Sequence, residues 1–85
     1  MSKSAVGRIE NVGHDLASGQ TVIYCTGTSA EIAGAKFSMR IPEGKYAYYN
    51  VEIAKGLRGK VVVFEYLSMN DMRIPRSITF KTVLE

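Results

Sequence analysis

Apolar and polar residues alternate with a period of two in several stretches of this chain, and that alternation predicts β-strands. In Val6–Val12, Arg8 and Glu10 share one side and Ile9 takes the other, while Gly7 leaves room for a bend. In Gln20–Thr26, Val22 and Tyr24 oppose Ile23 and Cys25. The glycine-bracketed segment Gly13–Gly19 is a loop, so these two runs predict a hairpin. The cleanest alternation lies in Ala35–Ile41, where Phe37, Met39 and Ile41 interleave with Lys36, Ser38 and Arg40. Pro42-Glu43-Gly44 stops it. Residues 60–66 set Val62, Phe64 and Tyr66 against Val61, Val63 and Glu65, and residues 78–84 form the last run.

Between these runs the signals weaken. Residues 27–34 are small and polar, a connection with room for one helical turn. Lys45–Leu57 is compatible with two elements. Tyr46, Tyr49, Ile53 and Leu57 fall at helical spacing, yet Tyr46, Tyr48, Val51 and Ile53 are also strand formers. Ala47, Ala54 and the spacing favour a helix, with Gly56 near its end. Residues 1–5 read as a flexible lead-in to a single domain spanning 1–85. The expected fold is mainly β: a small five-stranded OB-fold-like barrel, with one short helix between strands three and four. The turn Ser68–Asp71 and the step Arg73-Ile74-Pro75-Arg76 separate the last two strands.

Composition narrows the options. The 85 residues, 46% hydrophobic and 22% charged, suit one compact core. A single cysteine, Cys25, excludes an intramolecular disulfide and a cysteine-pair zinc site, so a reducing, cytoplasmic setting is expected. No apolar run approaches the ~18 residues of a membrane span, and no membrane partner is expected. The net charge of +3 is unevenly placed: Lys55–Lys81 holds six cations against two anions. Such a bias suits a polyanion.

Catalytic chemistry finds little support. His14 is the only histidine, beside Asp15 in a loop, with no nucleophile at a matching spacing. Phosphate-cradling and metal-ligand motifs are lacking, so neither cofactor nor metal is implied. What remains is a set of cations among β-runs. Arg58, Lys60, Arg73, Arg76 and Lys81 lie in the basic third, Arg40 is on the outward face of the third strand, and Tyr48 is the tyrosine expected to be exposed. Guanidinium groups fork onto phosphate oxygens. Pro75, with fixed φ and no N–H, would hold Arg73 and Arg76 at a definite angle.

Gly59-Lys60-Val61-Val62-Val63-Phe64-Glu65-Tyr66, then Arg73-x-Pro75-Arg76 and Phe80-Lys81, resembles the C-terminal OB-fold domain of ATP-dependent DNA ligases. Tyr24–Thr28 is similar to a strand end of the same domains, more loosely. The resemblance implies a non-catalytic module that clasps duplex or nicked DNA through its backbone, working beside a nucleotidyltransferase domain. By position it implies that Lys60, Arg73, Arg76 and Lys81 face the DNA or that domain. Ser77 stands where those domains carry an aromatic, and Thr82-Val83 where they carry Asp-Lys. Every lysine lacks the Lys-x-Asp-Gly context of the ligase nucleophile. The chain alone is therefore expected not to be an enzyme. An alternative is a protein-interaction β-barrel, such as a phage or mobile-element accessory protein, that oligomerises through a strand edge; the sequence leaves the oligomeric state open.

Overall fold

The computed structural model describes all 85 residues. Five strands form one antiparallel sheet: β1 (Lys3–His14), β2 (Thr21–Gly27), β3 (Lys36–Arg40), β4 (Val61–Tyr66) and β7 (Thr79–Leu84), in the order β3-β2-β1-β4-β7. Two short strands, β5 (Ser68–Met69) and β6 (Pro75–Arg76), pair as a small hairpin between β4 and β7. A 3-10 turn covers Ala30–Ile32, and one helix, α1 (Val51–Leu57), lies between β3 and β4. The mainly-β class and the helix position agree with the sequence reading. No helix is long and apolar enough to cross a membrane.

The alternating positions close the core as their pattern requires. Val62, Phe64 and Tyr66 of β4 face inward with Ile9, Ile23, Cys25 and Met39 of the neighbouring strands. Phe64 is fully buried and meets the Phe37 ring at 5.0 Å between centroids. Ala54 and Leu57 of α1 cover the same cluster. Gly27 is fixed by space, because a Cβ there would stand 2.3 Å from the Ile32 carbonyl oxygen.

Two irregularities keep the apolar faces inward. In β1 the register shifts between Ile9 and Asn11, so Glu10 is extra and both Ile9 and Val12 stay buried. In β7 a shift at Lys81 does the same for Phe80 and Val83, and Lys81 bulges outward.

Three expectations need correction. The lead-in is shorter than residues 1–5: β1 begins at Lys3, and Lys3, Ser4 and Ala5 pair with Tyr66, Glu65 and Phe64. Ala5 is small but buried, and a strand partner rather than local hydrophobicity orders it. The helix begins at Val51, not Lys45, because Asn50 caps it by accepting a hydrogen bond from the Ile53 N–H at 2.8 Å. Finally, the sheet is not closed into a barrel. Its edges β3 and β7 run in the same direction and face each other without a ladder. Pro42 and Pro75, which donate no N–H, and Ser77 at φ 56° lie along that gap.

Candidate nucleic-acid interface

The gap between β3 and β7 is an open seam. On one side stand Ser38, Met39, Arg40 and Pro42, and on the other the stretch Pro75–Phe80, around a groove of about 480 Å³. A smaller hollow of about 190 Å³ continues it between residues 41–46 and 80–85, with Phe80 common to both. The β3 side is a bare sheet edge. The Gly27 N–H donates to the Ala35 carbonyl and the Ile41 N–H to the Thr21 carbonyl. By antiparallel alternation the main-chain groups of Lys36, Ser38 and Arg40 therefore point away from β2.

Three of the seven residues singled out from the sequence come to this seam. Arg76 and Arg40 line the wider part and Lys81 the narrower. The other four sit elsewhere. Lys60 lines neither hollow; it precedes β4, and its carbonyl accepts from the Ile9 N–H of β1. Arg58 ends α1. Arg73 is in the β5–β6 turn, and Tyr48 bridges to Gln20 beside the first hairpin, 66% exposed as expected. The sequence-adjacent Arg73 and Arg76 are thus split between a hairpin tip and a groove. Lys45 also lines the seam, a residue that its assignment to a helix start concealed.

Ion pairing decides which cations are available. Arg40 donates to Asp15 at 2.9 Å, Lys81 lies 3.8 Å from Glu65, and Lys45 lies 3.3 Å from Glu85. All three cations are about half exposed or more, so these pairs are screened and weak. Arg58, Lys60, Arg73 and Arg76 have no carboxylate within 4.0 Å, and neither has Lys36. Only Glu43 and Asp71 are acids in the same position. The pairs neutralise one another and leave the positive excess on Lys36, Arg58, Lys60, Arg73 and Arg76, of which Arg76 lines the seam.

The carboxylates at the rim are held ionised. The Tyr46 hydroxyl donates to Glu85 at 2.6 Å and, with Lys45, keeps that carboxyl below its ordinary value. Asp15 is lowered first by the Ser18 hydroxyl, then by Arg40. Glu31 accepts from the Tyr66 hydroxyl at 2.9 Å and from Lys3 at 3.3 Å, and is lowered by both, with Arg73 acting from further away.

The other chemistry-bearing residues have ordinary surroundings. His14 stacks on Tyr49 at 5.3 Å, while the Asp15 carboxylate is taken by Ala17, Ser18 and Arg40 instead of the imidazole. Cys25 is buried, and Phe64 and Tyr66 are core residues. No group of histidine, cysteine and carboxylate side chains is placed to hold a metal ion.

Comparison with family models, curated proteins and solved structures gave no match.

Proposed function

We propose that this protein is a non-catalytic nucleic-acid-binding module whose open seam follows a phosphodiester backbone of duplex or nicked DNA. The observation that carries the reading is the placement of Arg76, Arg40, Lys45 and Lys81 along one groove that also presents bare main-chain groups. Cations supply charge neutralisation, and backbone N–H groups add directional contacts to phosphate oxygens. An OB-fold is a five-stranded, partly open barrel. A five-stranded antiparallel sheet whose two edges face each other across a groove supports that finer description. The ligase-like strand Gly59–Tyr66 and the Arg73-x-Pro75-Arg76 step support DNA, beside a nucleotidyltransferase domain, as the working context.

Fluorescence anisotropy with nicked, intact and single-stranded DNA at several salt concentrations tests the reading. Four phosphate contacts give a slope of log K against log salt of about −3 to −4 on duplex. Arg76→Ala with Lys81→Ala reduces that slope by about two and weakens all sequences alike. Absence of binding to every DNA at low salt would discard the proposal.

The free β3 edge favours a second reading, a protein-interaction module that self-associates by strand pairing. A stable dimer in sedimentation velocity, together with no DNA affinity, would select it.

A further inference from the structure

Edge strand β3 keeps one whole row of main-chain groups unmatched. Phe37, Met39 and Ile41 turn theirs to β2, which leaves the N–H and carbonyl groups of Lys36, Ser38 and Arg40 facing the seam. The stretch across the seam answers with no ladder: Pro75 donates no N–H, and Ser77 turns the chain at φ 56°. The row therefore offers donors and acceptors in equal number. A DNA backbone carries acceptors only and would leave the carbonyl groups unmatched. An extended polypeptide supplies both kinds at the strand repeat.

The surroundings of the row select the kind of polypeptide. On the outer face Lys36 and Arg40 flank Ser38, and Arg76 stands across the groove. Lys36 and Arg76 have no carboxylate within 4.0 Å, and Arg40 has Asp15 alone. On the inner side the groove is lined by the apolar Met39, Ile78 and Phe80. A strand laid antiparallel along β3 meets cations and apolar side chains in alternation, and it is antiparallel to β7 as well. A second copy of β3 fits the row less well. Pairing centred on Ser38 sets Lys36 of one copy against Arg40 of the other, like charge against like at both ends.

We infer that the β3 edge takes up an extended acidic segment of another protein, with carboxylates opposite Lys36 and Arg40 and apolar side chains alternating into the groove. The inference goes beyond the nucleic-acid reading and does not depend on it. A strand in this place covers Arg40 and the main-chain groups that DNA would use, so the two occupants exclude each other.

The probe is a short capped peptide alternating glutamate and valine, labelled for anisotropy and titrated into the full chain at low salt. Binding is expected, with slowed hydrogen exchange at the Lys36, Ser38 and Arg40 amides. N-methylation of the glutamates keeps their charge but removes the N–H groups that face β3, and should weaken binding about tenfold or more. Lys36→Glu, at an exposed position, should weaken the glutamate peptide about three- to tenfold and strengthen one alternating lysine with valine by a similar factor. Binding that ignores N-methylation is charge attraction alone and overturns the strand, as does absence of peptide binding at low salt. Self-association that protects the same amides assigns the edge to a second copy and also overturns it. DNA bound while every peptide is refused leaves the seam reading standing. Peptide bound with no DNA affinity removes that reading and leaves the strand.

Discussion

Cys25 shows how one side chain ties the core to pH. It is 2% exposed, and burial above all, with Glu10 adding to it, pushes its thiol from 9.0 up to about 12. A raised acid keeps its proton in the folded state after the unfolded chain has lost it. Its contribution is therefore complete below pH 9 and falls as pH rises from 9 towards 12, by roughly 1.4 kcal/mol per pH unit. Urea titrations between pH 8 and 11 should show wild type losing stability faster than Cys25→Ala, since tyrosines and lysines titrate equally in both. A parallel decline would contradict that burial. The start of the same strand holds a different kind of cost. Thr21 is fully buried and its hydroxyl finds no partner, an orphan polar atom in the sheet interior.

The elements show what was legible in the sequence. Strands with strict alternation, such as Phe37–Ile41 and Val61–Tyr66, were legible because one face is buried and the other is not. The first three residues of β1 were not, since Lys3 and Ser4 are polar and only the distant β4 gives them a partner. Helix α1 was foreseen in place but not in extent; its start depends on the Asn50 cap rather than on the tyrosines before it. Asn50→Ala should cost about 1 kcal/mol, read as a lower urea midpoint with an unchanged slope; an unchanged midpoint would mean that packing of Ala54 and Leu57 alone sets the helix. The candidate cations divided for a similar reason. Arg73 and Arg76 are three positions apart, but Arg73 lies in the turn that joins β5 to β6 and Arg76 in β6 itself, on the groove. The seam instead gathered Arg40 and Lys81 from elements far apart in sequence.

At the scale of the molecule, β1 is the middle strand of the sheet, paired with β2 along its second half and with β4 along its first. Barrel closure was the global feature that local pattern could not decide, because it depends on how two remote edges meet. The same arrangement predicts graded amide exchange. The interior strands β1, β2 and β4 should be slowest to exchange, and the Lys36, Ser38 and Arg40 amides of the bare edge fast. Uniform protection of β3 in hydrogen–deuterium exchange would mean that the edge is covered in solution. The long reach of β1 bears on how the chain comes to be made. Ala5 waits for Phe64, so a nascent chain emerging from the ribosome at roughly 5–20 residues per second carries an unmatched N-terminal ribbon for seconds. Productive collapse must then follow synthesis of β4, which makes the early half of the polypeptide the part most in need of a chaperone's cover.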